Sequence, residues 1–265
     1  MRSIVTLIFL VIATLPLQAQ DGLKDEQLLE LAEASFSAGN DLLLTQPSAA
    51  HKEYSTAALY YGSLIERGVN NASLYYNTGN AFYRTGQLGR AILMYRRALL
   101  FSPLDPRIKS NLLRAQELQK NQFAPDSRNE VVRIIFFPHY KIPFVWKIWS
   151  FVVVNLGFWA SLIALRFRKS SALPTILSGI IAILLLTSLA INWQGMSEEH
   201  GVTIADSTIG RMGDSVNYEP SFETPLFQGV EFTVEERRVG WILARLPNRD
   251  ITWIEEKDCA IVEEL

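Results

Sequence analysis

Apolar positions follow several different rhythms along this chain, and each rhythm predicts a different kind of structure. At the start, Arg2 precedes an apolar run from Ile4 to Leu15, followed by Pro16 and Leu17-Gln18-Ala19. A run too short to span a bilayer, behind a positive charge and ahead of a small residue, reads as a secretory signal peptide over 1–19, cleaved after Ala19. An uncleaved anchor is the alternative, because Leu17 breaks the small-x-small pattern. Either way the segment that follows leaves the cytoplasm.

Residues 20–125 carry apolar positions at three- and four-residue spacing, as in Leu28, Leu31, Ala32, Ser35 and Phe36, which predicts helices. A first helix is expected over Glu26–Ser37, ended by Gly39-Asn40. The stretch Leu43–His51, with Gln46-Pro47-Ser48 inside it, is expected to be a loop, since proline removes a donor and biases its predecessor away from helix. Helical pattern resumes near Tyr54 and fades at Ala124-Pro125-Asp126, so 126–143 reads as a linker.

Two continuous apolar segments follow, 144–167 and 173–193, each long enough for a hydrocarbon core of about 30 Å. Trp146, Trp149, Trp159 and Trp193 are suited to headgroup depth, and Lys147 can snorkel. The short connection Arg166-Phe167-Arg168-Lys169-Ser170-Ser171 makes the pair a hairpin with a basic tip, which the positive-inside rule puts in the cytoplasm. Both flanking soluble parts are then extracytoplasmic, on the outer face of a bacterial cytoplasmic (inner) membrane. From 201 to 265 the rhythm changes to short alternating runs, Val202–Ile204, Val230–Val234, Trp241–Leu246 and Ile251–Ile254, punctuated by Gly213-Asp214, Gly229, Gly240 and Pro247-Asn248. This predicts a small barrel of about five strands. The fold class is therefore multidomain: an all-α part, a two-helix membrane hairpin and a small all-β part.

Charge and composition narrow the function. A formal net charge of -2 across 265 residues, with no Lys/Arg stripe interleaved with aromatics, excludes a phosphate-backbone partner such as nucleic acid. The single cysteine, Cys259, excludes an intrachain disulfide framework. His51, His139 and His200 are far apart, and Glu198-Glu199, Glu255-Glu256 and Glu263-Glu264 are adjacent residues that point to different sides in a strand, so no metal or catalytic constellation emerges. No cofactor, no metal and no enzymatic activity are expected.

From Ala72 to Asp105 the chain reads ASLYYNTGNAFYRTGQLGRAILMYRRALLFSPLD. Tyr75, Gly79 and Phe82 on a first helix, Ala91, Tyr95 and Ala98 on a second, and Pro103 at the close resemble the tetratricopeptide repeat over its whole unit of about 34 residues. Small Gly79 and Ala91 let the antiparallel helices approach, Tyr75, Phe82 and Tyr95 fill around that contact, and Thr78 departs from the usual leucine. One period earlier, Tyr54, Ala57, Tyr61, Leu64 and Gly68 repeat the second-helix half of an irregular unit; one period later, 106–119 supplies a capping helix. By that resemblance the groove-facing positions are Tyr76, Asn80, Tyr83 and Arg84, then Arg107, Ser110, Asn111 and Arg114. Asn80 with Arg107 and Arg114 would hold a carboxylate or the carbonyls of an extended peptide. A solvated polar face is the alternative.

Residues 202–262 resemble a bacterial SH3-like domain, through Gly229-Val230, Gly240-Trp241, Arg211 with Gly213, and Thr252-Trp253-Ile254 in the place of Gly-Trp-Val. Trp241 and Trp253 are its ligand candidates, with a packing role the commoner use of strand tryptophans in so small a barrel. The whole order of parts resembles the Bacteroides aerotolerance E (BatE) family. That resemblance implies a scaffold whose partners are Bat proteins with von Willebrand A domains, usually encoded beside a MoxR-type ATPase, with a role in envelope stress or aerotolerance. The alternative is a cell-wall sensor whose SH3-like domain grips peptidoglycan.

Overall fold

The computed structural model describes residues 23–121, 123, 142, 144–168, 172–196 and 198–263. The expected signal peptide over 1–19 and, apart from Ile142, the expected linker over 126–143 lie outside the described residues. The chain forms two compact units, one built from the N-terminal helices and the C-terminal strands, the other around the two apolar helices.

In the first unit five helices follow one another: α1 (Asp25–Leu42), α2 (Pro47–Glu66), α3 (Ala72–Arg84), α4 (Leu88–Phe101) and α5 (Pro106–Glu117). Each packs chiefly on its chain neighbour, as short connections demand. Their starts are chemically marked. The Gln27 side-chain oxygen accepts from the Lys24 backbone N–H at 2.9 Å, Asn71 Oδ1 accepts from Leu74 N–H at 2.9 Å, and Asp105 Oδ1 accepts from Arg107 N–H at 2.8 Å, each satisfying a donor the helix itself leaves open. The ends of α2 and α3 are closed by Gly68 and Gly86, at φ +85° and +75°. In that left-handed conformation Val69 N–H reaches the Leu64 carbonyl and Gln87 N–H reaches that of Phe82, both at 3.0 Å.

Two expectations for the first hairpin need correction. Gly39-Asn40 lies inside α1, which continues to Leu42, and the segment expected to be a loop over Leu43–His51 is mostly helix, because α2 begins at Pro47. Proline stands at the first helical position, where its missing N–H costs nothing and its fixed φ suits a helix. Only Leu43–Gln46 connects the two helices. Gly39 is not a terminator either: a Cβ there would lie 2.8 Å from the Tyr54 ring, so glycine lets α1 and α2 approach. Tyr54 then donates to Asn40 Oδ1 at 2.9 Å. Gly79 repeats this in the next hairpin, a Cβ there lying 2.7 Å from the Tyr95 ring, while Tyr95 donates to Asn80 Oδ1 at 2.9 Å.

The strands are β1 (His200–Thr203), β2 (Ser207–Thr208), β3 (Leu226–Phe227), β4 (Glu231–Arg238), β5 (Trp241–Arg245), β6 (Ile251–Glu255) and β7 (Cys259–Ile261). Five form an antiparallel sheet in the order β6-β5-β4-β1-β7, and β2 pairs with β3. The register of β4 and β5 shifts between Val234 and Glu236, a bulge that bends the long strand.

This sheet does not stand apart from the helices. Val202 and Val262 share a buried cluster with Ile92, Leu93 and Met94 of α4. Around it, the Glu231 carboxylate accepts from Arg96 and Gln116, Arg97 donates to the Ile261 carbonyl at 2.9 Å, and Gln119 donates to the Gly229 carbonyl. Asn121 accepts from Phe227 N–H at 2.7 Å and donates to the Pro225 carbonyl at 3.2 Å. A fully apolar run such as Ile92-Leu93-Met94 makes sense only on a helix covered from both sides.

In the second unit α6 (Phe144–Arg168) and α7 (Leu173–Met196) form an antiparallel pair. Within them Phe144–Phe167 and Leu173–Ile191, 24 and 19 residues, are long and apolar enough to cross a membrane, at about 36 and 28 Å. Hydroxyls in these helices bond back to their own backbone, Ser161 to Phe158, Ser178 to Pro174 and Thr187 to Ile183.

Candidate functional site

The residues expected from the sequence to line a groove lie on α3 and α5. Tyr76, Asn80, Tyr83 and Arg84 recur at four- and three-residue spacing on α3, and Arg107, Ser110, Asn111 and Arg114 do so on α5, so each set occupies one helix face. Asn111 joins the two faces: its Nδ2 donates to Asn80 Oδ1 at 2.8 Å and to the Tyr76 hydroxyl at 3.1 Å. With Tyr95 also donating to Asn80 at 2.9 Å, both lone pairs of the Asn80 oxygen are taken. The Asn80 amide is therefore held with its NH2 group as the unspent end, a pair of donors with no protein partner among the described residues.

Three arginines lie on the same two helices, α3 and α5. The Arg107 guanidinium lies 5.9 Å from the centroid of the Tyr76 ring and pairs with Asp105 at 2.8 Å. The same pairing holds the Asp105 carboxyl down at about 2 and raises Arg107. Arg84 sits over the Tyr54 ring at 5.8 Å. Arg114 and Ser110 are exposed. Burial raises the Tyr95 hydroxyl strongly, and the neighbouring Tyr76 adds to it. Tyr95 is thus a neutral donor at any physiological pH.

A cavity of about 200 Å³ opens where α1, α2 and α3 meet, lined by Glu33, Phe36, Ser37, Asn40, Tyr61 and Asn77. Burial, reinforced by the Glu33 charge, pushes the Tyr61 hydroxyl up to about 12, with the Asn77 amide acting in the opposite direction. None of these lining residues was a site candidate in the sequence. The signal existed: Tyr61 and Asn77 precede Tyr95 and Asn111 by the period of about 34 residues expected from the sequence.

The β part offers less. Trp253 is buried, 7% exposed, beneath the Arg238 guanidinium at 4.7 Å from its ring centroid. Arg238 is held there by Asp214 and Glu236, each at 2.8 Å. Trp241 is half-buried on β5, opposite Glu255 and Arg238 in the sheet register. Cys259 is buried, its thiol near the Glu255 and Glu256 carbonyls. Among the described residues no cluster of three or more His, Cys, Asp or Glu side chains is arranged to hold a metal ion.

Comparison with protein-family models and with curated proteins gave no match.

Proposed function

We propose that this protein is a non-enzymatic scaffold of the bacterial envelope, which binds protein partners through a tetratricopeptide-type groove on the outer side of the cytoplasmic membrane. The observation that carries this reading is the state of Asn80. Its oxygen is saturated by Tyr95 and Asn111, so only donors remain, and Arg107 and Arg114 share the adjoining face. A donor pair held in place by Tyr95 and Asn111, with arginines on the same helical face, suits a carboxylate or the carbonyls of an extended peptide, since a preoriented amide loses little entropy on binding.

The α6–α7 pair anchors the protein. Export of the first residues and the basic connection between the apolar helices support an outward groove. The β part, read as an SH3-like domain, serves as a cap that covers α4 and the end of α5, a repeat's exposed apolar face needing such cover. Burial of Trp253 supports that packing role over a wall-binding platform. By resemblance to the BatE family, the partners are Bat proteins with von Willebrand A domains.

The test is affinity purification of the tagged full-length protein from native membranes, wild type against Asn80→Ala/Arg107→Ala/Arg114→Ala. Von Willebrand A proteins recovered with the wild type and lost with the variant would support the reading. Recovery of peptidoglycan fragments alone would replace it with a wall-binding function.

A further inference from the structure

The groove reading accounts for one end of the helical face and leaves the cavity at the other end unused. That cavity has a chemistry of its own. The Glu33 carboxylate has no hydrogen-bond or ion-pair partner among the described residues and stands beside the Phe36 and Tyr61 rings, with Asn40 and Asn77 as further oxygen-bearing neighbours. Asn77 is one helical turn from Asn80 on α3, so the cavity adjoins the donor site. Its volume of about 200 Å³ is below the 300–1,000 Å³ typical of small-molecule pockets. One side chain fits that space. One carboxylate, with the Asn40 oxygen already accepting from Tyr54 and only the Asn77 amide and the Ser37 and Tyr61 hydroxyls beside it, is too poor in charge and free oxygens for a dedicated calcium site, which takes six to eight oxygens. An anion walled by aromatic rings instead suits an organic cation, held by charge and by the ring faces together.

We propose that the Glu33 cavity receives the cationic head of a lysine or arginine from the same extended segment whose carboxylate is held at Asn80, Arg107 and Arg114. This rests on the groove reading and deepens it, since it gives the ligand a polarity and a length. Packed helices lie about 8–10 Å apart. Glu33 on α1 and Arg107 and Arg114 on α5 lie to either side of α3, two spacings each at least that large, so the ligand spans at least about 16–20 Å, or at least about five or six residues of extended chain. The ligand is a peptide with a basic side chain at least that far from an acidic side chain or a terminal carboxylate. The acidic cavity and the basic face also fix the direction in which it lies, because the reversed peptide puts like charges together at both ends.

The experiment selects binders from a library of short synthetic peptides, using the detergent-solubilised full-length protein as wild type, Glu33→Gln and Arg107→Ala/Arg114→Ala. Glu33 is exposed, so Glu33→Gln is expected to fold as the wild type does, which thermal unfolding checks. Wild-type binders should pair a lysine or arginine with an acidic group at the stated spacing. Changing that basic residue to alanine should weaken binding about fivefold on the wild type, the scale of a partly exposed ion pair, and leave it unchanged on Glu33→Gln. Binders that depend on Arg107 and Arg114 but show no basic residue, or a basic preference that survives Glu33→Gln, would overturn the cavity assignment and leave the groove standing. If no selected peptide depends on Arg107 and Arg114, the groove reading itself falls and takes this inference with it.

Discussion

Gly89 lies against the main chain after β1, and replacing it with alanine gives a sign that helix propensity alone would get wrong. Gly89 sits in the first turn of α4, and Gly→Ala inside a helix ordinarily stabilises by up to about 1 kcal/mol. Here the added Cβ would lie 2.3 Å from the Thr203 carbonyl oxygen and 3.1 Å from both Gly229 N and Ile204 Cα. All three are main-chain atoms, so no rotamer change relieves the clash. The strand must move away from α4, loosening the contact of Val202 with Ile92 and Leu93 and the Gly89 N–H bond to Gln228 at 3.2 Å. Overpacking of this kind costs about 1–3 kcal/mol. Gly62 is the internal control, lying within α2 with open space where its Cβ would go. Gly62→Ala should raise Tm by about 2–4 °C and Gly89→Ala should lower it by about 2–12 °C, for a folded part of this size. Hydrogen exchange locates the effect: amides of β1 and α4 should exchange faster in Gly89→Ala, while those of α6 and α7 should not change. If Gly89→Ala stabilises as Gly62→Ala does, the sheet is not seated on α4 and the capping argument fails.

Three further outcomes follow from the same geometry. Gly79→Ala should destabilise by about 1–3 kcal/mol, because the Cβ would meet the Tyr95 ring at 2.7 Å and push its hydroxyl from Asn80; thermal unfolding and peptide binding should fall together. Glu231→Gln should cost about 1 kcal/mol, since Arg96 and Gln116 both rely on that carboxylate at a half-buried seam; denaturant titration reads it. Asp105 should titrate at about 2, and Arg107→Ala should return it toward the usual 3.8. Its carboxyl is depressed in the folded state, so its stabilising contribution is complete above the unfolded value and is lost as pH falls from about 4 through about 2; carbon NMR of labelled aspartate checks both statements.

Much of the helical part was legible because it rests on local chemistry. The pattern of Tyr75, Gly79, Phe82, Ala91, Tyr95 and Ala98 needs only neighbouring helices to explain it, and all except Phe82 are buried. Proline and glycine misled where their usual punctuation was overridden. Pro47 opens a helix instead of breaking one, and Gly39 is a contact point for Tyr54 instead of an end, so the first hairpin is longer than its pattern implied. Groove residues Asn80 and Asn111 were visible as positions, but the bond between them joins two helices and fixes an amide orientation that no linear pattern carries. The seating of the sheet on α4 was illegible for a related reason, since Arg96 meets Glu231 across more than half the chain. Its one local trace is the uninterrupted run Ile92-Leu93-Met94, buried all round.

The central claim is that partners are held in the groove, and site-specific photocrosslinking in native membranes tests it most directly. A photoreactive residue is placed at Ser110, exposed on the groove face of α5, or at Arg90, exposed on α4. The account predicts an adduct with a von Willebrand A protein from position 110, reduced in an Asn80→Asp background, and none from position 90. That substitution keeps the acceptor for Tyr95 and Asn111 but turns the free donor end into an anion. Adducts from position 90 instead, or adducts at position 110 that ignore Asn80→Asp, would contradict it.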